Sequence, residues 1–385
     1  MNSERDQQPP GADDPNPGAS GNALGLRLLA DLAREASAKN VSLSPFSLAM
    51  SLSLVYNGAG GKTRALMADA LGFGGISVEE LNRRNAEIRV AFEKLGDAAR
   101  VQAANALCAD QKLRIDREFL VIAERFYAAE IFNLNFGSPE SLTVINEWVG
   151  QKTGGKISSL VKPADLSPAT DCILMSAVYF KGLWRSPFDK SATRDEPFFP
   201  PGGKQMSVPT MRQTGRVAYR QEKEFQAVRL PYANADIGMY VFLPSADSSV
   251  EEFMRELNVE SWEKRISGFE ERHVEIALPR LKLNFKADLN ETLTALGLGI
   301  IFGHEADFSP MGLSGHHVDK VAHQAVVEVN EEGTEASAAT AVVMVRSLQP
   351  PREIIINRPF FWAIQNDNNR SLLFAGVVTD PSDEG

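Results

Sequence analysis

A chain of 385 residues, 43% hydrophobic and 23% charged, has the balance of a folded protein with a substantial core, as one large domain or two ordinary ones. Its net charge of -10 argues against a general nucleic-acid or anionic-membrane binder, since both need a basic field. The two cysteines, Cys108 and Cys172, allow at most one bridge, lack metal-ligand spacing and read as buried free thiols, which fits a reducing compartment.

Residues 1–21 are polar, acidic and rich in proline and glycine, and read as a disordered tail. They hold no apolar run of the kind a secretory signal needs, which favours a cytoplasmic location and leaves export open. No stretch approaches the roughly 18 apolar residues of a membrane-spanning helix. From Asn22 to Asn40, Leu24, Leu28, Leu29, Leu32 and Ala36 recur at helical spacing. The run "NVSLSPFSLAMSLSLVYNGAGG" reads as a short strand and then a buried helix that stops at Gly58 to Gly61. Ile88, Phe92 and Leu95 form another helical stripe. Ser138 is the expected N-cap, and Pro139 the first-turn residue, of a helix carrying Leu142, Ile145, Trp148 and Val149 on one face.

Beyond that point the texture changes. "DCILMSAVYFKGLW" is a nearly continuous apolar run, expected of a strand covered on both faces. "DIGMYVFLP", "HVEIALPRLKLNF", "HQAVVEVN", "REIIIN" and "SLLFAGVV" add five strand candidates, with one helix at "ADLNETLTALGL" among them. Helices come early and strands late without alternation, so the expected class is α+β. No linker divides residues 22–381, which read as one domain.

Several tempting sites have plainer explanations. "GAGGKT" at residues 58–63 lacks the first glycine of a phosphate loop, since Tyr56 stands there, and a helix precedes it where a strand should; it reads as a turn between helices. His316, His317 and Asp319 read as a surface turn, and no metal or other cofactor is expected. Ser314 lacks the elbow of a hydrolase nucleophile. Arg83, Arg84, Arg89 and Lys94 are interleaved with Glu79, Glu80, Glu87 and Glu93, the pattern of a solvated helix face.

One segment fits none of these. Thr334 to Val345 is a run of small and β-branched residues ending at the Arg346-Ser347 bond, followed by Pro350-Pro351. "VNEEGTEASAATAV" resembles the reactive-loop hinge of the serpins, and "IIINRPFFWAI" at residues 354–364 resembles that family's C-terminal signature. "NVSLSPFSLAMSLSLVYNGAGGKT", "INEWVGQKTGGKI", "AVYFKGLW", "RLPY", "ADFSPMG" and "HQAVVEVNEEGTEA" agree in order along the chain. The resemblance implies a large α+β domain and a suicide-substrate mechanism. A serine protease cleaves the exposed loop, forms its acyl-enzyme, and is dragged along as the loop enters the central sheet. Strand insertion of this kind in serpins is a general example of strand addition and of released strain.

The residues suit that mechanism. Thr334, Ala336, Ala338, Thr340, Val342 and Met344 share one face of an extended run and are all small or apolar, while Glu335 and Ser337 fall on the other. The hinge would comprise Glu332, Gly333, Thr334, Glu335, Ala336, Ser337, Ala338 and Ala339. The resemblance implies a trypsin-like serine protease as partner, with Arg346-Ser347 as the reactive bond. Arg346 lies thirteen residues after Gly333, where most of the family places the scissile residue fourteen after. The alternative bond is therefore Ser347-Leu348, with an elastase-like target; a non-inhibitory binding protein or chaperone is the other reading. The family's sheet-opening "shutter" matches at Ser44, Ser47 and His323, and departs at Ser176, where asparagine is usual. No helix carries a continuous basic face, so no heparin is expected, and the protein is expected to be a monomer.

Overall fold

The computed structural model of the protein describes residues 17–36, 39–96, 99–333 and 351–384. The helices α1 (Pro17–Glu35), α2 (Pro45–Gly58), α3 (Gly61–Leu71) and α4 (Val78–Glu93) open the chain, interrupted by the short strand β1 (Val41–Leu43). Thirteen of the fourteen residues of α2 are buried, as expected for a helix apolar all round; Ser44 caps its first turn, accepting from the Ser47 amide. "GAGGKT" is the turn between α2 and α3, where the Gly60 amide donates to the Asp307 carbonyl.

Strand β2 (Ala99–Asp110) follows, then α5 (Arg117–Ile122), β3 (Glu130–Leu134) and α6 (Pro139–Lys152). Ser138 holds the N-cap position of α6 by its backbone angles, but its hydroxyl bonds Glu140 rather than an orphan amide. Next come β4 (Cys172–Gly182), β5 (Arg194–Phe198), β6 (Met206–Gln221), β7 (Phe225–Pro231) and β8 (Ile237–Pro244). Two short helices, α7 (Val250–Arg255) and α8 (Val259–Ile266), lead to β9 (Glu270–Pro279) and β10 (Leu281–Asp288). The helix expected near residue 290 is a single turn, α9 (Asn290–Leu293), that loosens into a π turn because Gly297 adopts φ +94°. Strands β11 (Lys320–Val329), β12 (Arg352–Ile355), β13 (Phe360–Asn366) and β14 (Leu372–Val378) complete the fold.

Among the described residues the strands form two sheets. One is nine-stranded, in the order β1-β14-β13-β8-β7-β6-β9-β12, with β5 joined to β6. The other is five-stranded, β10-β11-β4-β2-β3. "HVEIALPRLKLNF" is two strands, not one: at Pro279-Arg280 the chain leaves the nine-stranded sheet as β9 and joins the five-stranded sheet as β10. β4 is covered on both faces, as its composition predicts. Cys172, Leu174, Val178 and Phe180 face the main core and Ile173, Met175, Ala177 and Tyr179 a smaller one. Cys108 and Cys172 lie on opposite faces as buried free thiols, and burial pushes both thiol pKa values up.

Candidate functional site

The middle of the five-stranded sheet contains an unusual seam. β11 and β4 pair in parallel, from Lys320↔Ile173 to Val327↔Phe180, while their outer neighbours β10 and β2 are antiparallel to them. A strand leaving the end of β11 by a tight turn would run antiparallel to both β11 and β4. The seam is therefore a place where one more strand could be added with antiparallel pairing on both sides; the other parallel pair of this sheet, β2 and β3, does not adjoin β11.

A turn of this kind is present. Asn330 and Gly333 exchange backbone hydrogen bonds of 2.8 and 3.2 Å, and Glu332 donates its amide to the Asn330 side chain. Gly333 then bridges to Leu183, just past the end of β4, so the turn lies across the top of the seam. The Trp184 and Phe188 amides donate to the Glu332 and Glu331 carbonyls, and the Trp184 indole donates to the Asn330 carbonyl. Glu331, whose side chain is only 3% exposed, accepts from Arg280 at 2.6 Å and also bonds Thr193. Burial opposes its charge, but these bonds more than compensate and hold the carboxyl below its ordinary range. Lys190 pairs with Glu332.

Halfway down the seam a polar chain crosses it. His323 of β11 lies opposite Ser176 of β4 in the parallel register. The Ser44 amide, which can only donate, reaches His323 Nε2 at 3.2 Å, so the neutral ring carries its proton on Nδ1. That proton points to Ser176 Oγ at 3.1 Å; Ser176 and Ser47 hydroxyls are 2.9 Å apart; and Ser47 donates to Asn105 Oδ1 at 3.1 Å. The direction is thereby fixed from His323 through Ser176 and Ser47 to Asn105, with Ser51 donating to the same amide oxygen. Burial lowers the His323 pKa to about 3, the bond with Ser176 offsetting little of it.

Comparison with known proteins places this architecture. The family model "Serpin (serine protease inhibitor)" matches residues 19–381. The chain is a serpin. It is 35% identical to Serpin B6 of Macaca fascicularis over 367 residues, 92% of this chain and 97% of the relative. It is 33% identical to the leukocyte elastase inhibitor of Sus scrofa over 376 residues, 94% and 99% of the two. Among solved structures it resembles native protease nexin-1 with heparin (TM-score 0.86, 26% identical, 95% of this chain and 99% of that one). It also resembles the native thermophilic serpin tengpin (TM-score 0.85, 27% identical, 95% of each chain). Its family is thus one of protease inhibitors rather than enzymes.

In this serpin Ser44, Ser47, Ser176 and His323, from three separate segments of the sequence, form one hydrogen-bonded group at the seam. Glu332 and Gly333 sit at its top. Thr334, Glu335, Ala336, Ser337, Ala338, Ala339, Arg346, Ser347 and Leu348 lie outside the described residues. Asn105 escaped the sequence reading: the amide expected on β4, where Ser176 stands, is supplied from the neighbouring strand β2, which lies beside it as Asn105↔Ser176. A polar residue within the alanine-rich run "QAANALCA" was the signal available.

The buried neutral histidine makes a pH prediction. All its polar partners are uncharged, and protonating Nε2 would set it against the Ser44 amide. The unfolded chain takes up the proton near pH 6.5, the native protein only near 3. The native fold therefore keeps full stability from this group well above pH 6.5 and loses it below, with a slope that climbs from half of about 1.4 kcal/mol per pH unit at 6.5 toward the full value. Urea unfolding of the uncleaved protein should show that slope between pH 6.5 and 5.5, and His323→Asn should flatten it. An unchanged slope in the variant would contradict the assignment.

Proposed function

We propose that this serpin inhibits a trypsin-like serine protease by covalent trapping, with Arg346-Ser347 as the cleaved bond and the β4/β11 seam as the slot the cut loop enters. The protease's serine Oγ attacks the Arg346 carbonyl, the Ser347 amine leaves with a proton, and an ester links Arg346 to the enzyme. An arginine side chain fits a specificity pocket floored by an acid. Insertion would replace one parallel pairing by two antiparallel ones, which are slightly more stable per residue.

The observation that carries this reading is register. Extending the antiparallel pairing begun at Asn330↔Gly333 would set residue 334 opposite Val329, 336 opposite Val327, 338 opposite Ala325, 340 opposite His323 and 342 opposite Val321. Val321, Ala325, Val327 and Val329 all face the main core. The small and apolar residues Thr334, Ala336, Ala338, Thr340 and Val342 would thus face inward, and Glu335 and Ser337 would not. Thr340 would arrive between Ser176 and His323, where its hydroxyl can donate and accept in place of the bond that opening the seam breaks. On this reading Ser44, Ser47, Ser176 and His323, joined by Asn105, latch the seam, and Glu332 to Ala339 form the hinge.

A second register has its own support. Ser347 stands fourteen residues after Gly333, and one relative is named a leukocyte elastase inhibitor. Trypsin and elastase separate the two. Incubation with trypsin should give a complex that survives denaturing electrophoresis and release a C-terminal fragment beginning at Ser347. Arg346→Ala should slow trypsin inhibition by more than about a hundredfold. A stable complex formed with elastase instead, releasing a fragment that begins at Leu348, would move the bond to Ser347, and clean clipping that leaves both enzymes active would refute the inhibitor reading.

A further inference from the structure

The opposite end of the seam holds a cluster the inhibitory mechanism does not use. Because β4 and β11 are parallel, the residues preceding them lie side by side: Asp171 before β4, and His316, His317 and Asp319 before β11. The Asp319 amide donates to the Cys172 carbonyl at 2.8 Å. One carboxylate oxygen of Asp319, Oδ2, accepts from the Asp171 and Cys172 amides at 2.7 and 2.9 Å, which fixes the group and turns Oδ1 toward His317. His317 Nε2 lies 3.7 Å from that oxygen, and His317 Nδ1 lies 3.6 Å from Asp171 Oδ2.

Those separations are too long for hydrogen bonds, and the buried His317 Nδ1 makes none. An imidazole gives an ion one nitrogen at a time, so one of these separations serves as an edge of the site; either is close to the edge of roughly 3.3 Å that bonds of about 2.0 Å give a tetrahedral ion. One ligand atom from each of Asp171, His317 and Asp319 falls within 4.8 Å of the other two. His316 Nδ1 lies 3.0 Å from Asp171 Oδ1, at hydrogen-bonding distance, and helps to hold that carboxylate, while the His304 ring packs edge-on against His317 at 5.2 Å. Among the described residues no lysine or arginine is ion-paired with Asp171 or Asp319. The three first-rank ligands are each about three-quarters or more buried, yet remain within reach of solvent.

We propose that Asp171, His317 and Asp319, with water in the fourth position, form a zinc site that ties the start of β4 to the start of β11. One imidazole with two carboxylates suits Zn²⁺. Ca²⁺ requires six to eight oxygens and Mg²⁺ a near-octahedral oxygen shell, which this set does not supply.

The position gives the ion a consequence, which rests on the insertion reading above. Continued from Gly333, the inserted register would bring residue 344 opposite Asp319, so complete insertion reaches this point and must part Asp171 from Asp319. Ion binding and full insertion then exclude each other. By linkage, zinc favours the uncleaved form to the same extent that insertion weakens zinc.

Calorimetric titration of the chelator-treated full-length protein with ZnCl₂ tests the site. One saturable event is expected, weakened at least tenfold in Asp171→Asn and in His317→Gln, with no comparable event for MgCl₂. Near-UV circular dichroism establishes that each variant is folded. Absence of saturable binding, or wild-type affinity in both folded variants, would overturn the site. Titration of the loop-cleaved protein then tests the coupling: weaker binding supports it, and equal affinity refutes the exclusion while leaving the site. If no denaturation-resistant complex forms with trypsin or elastase at any zinc level, the inhibitor reading fails, and the uncleaved titration still decides the site.

Discussion

Ala336→Pro is expected to turn this serpin from an inhibitor into a substrate. Position 336 would lie opposite Val327 in the middle of the widened sheet, where proline removes a ladder hydrogen bond and leaves its buried partner unpaired, at a cost of up to about 3 kcal/mol. Thr334→Arg should act similarly by a different route. Its partner would be Val329, which is 1% exposed, and a guanidinium there would have to give up its water on entering the core. A penalty of about 3 kcal/mol on insertion is worth more than a hundredfold in rate, enough for hydrolysis of the acyl-enzyme to win. Neither change touches Arg346-Ser347, so the loop should still be cut at an ordinary rate. Titration of trypsin with each variant should therefore show many molecules of serpin consumed per enzyme inactivated. Unchanged stoichiometry in both would sink the insertion mechanism.

The second large effect concerns the turn at the top of the seam. Gly333 has φ +126°, and a Cβ added there would stand 2.1 Å from the Gly182 carbonyl oxygen and 2.7 Å from the Leu183 Cα. Those are backbone atoms of the strand end that the turn crosses, so they cannot swing aside as a side chain would. Gly333→Ala should cost at least about 3 kcal/mol, or unpair the turn from β4 altogether. Gly202 serves as the control, with φ +59° and open space around it. Gly202→Ala should cost only the conformational penalty of about 1–2 kcal/mol. Urea unfolding of the uncleaved proteins distinguishes them, and equal losses would mean the contact with Gly182 is unimportant.

Much of this fold is visible along the chain because the informative segments are nearly pure in character. The apolar runs of β4, β8, β11 and β14 and the buried helix α2 leave little room for another reading. β2 stayed hidden because alanine has weak strand preference, and its seven consecutive buried residues carry little apolar bulk beyond Leu107. β6 stayed hidden because half of it is polar and its burial alternates irregularly. The division of residues 270–288 between two sheets turns on one proline, whose local meaning is a break but whose consequence is tertiary.

The site divides along the same line. The proposed hinge and reactive bond are contiguous and can be read as a motif. The hydrogen-bonded group at the seam is not: Ser47, Asn105, Ser176 and His323 come from one helix and three strands, and only the sheet register makes them neighbours. Asp171 joins His317 and Asp319 for the same reason, since parallel strands align their starts.

The most direct test of the central claim is a crystal structure of the protein after cleavage of its loop. Residues 334 to 345 should form a new strand antiparallel to both β4 and β11, with Thr340 between Ser176 and His323 and Glu335 and Ser337 facing away from the main core. β4 and β11 still paired in parallel, with His323 still bonded to Ser176, would contradict it.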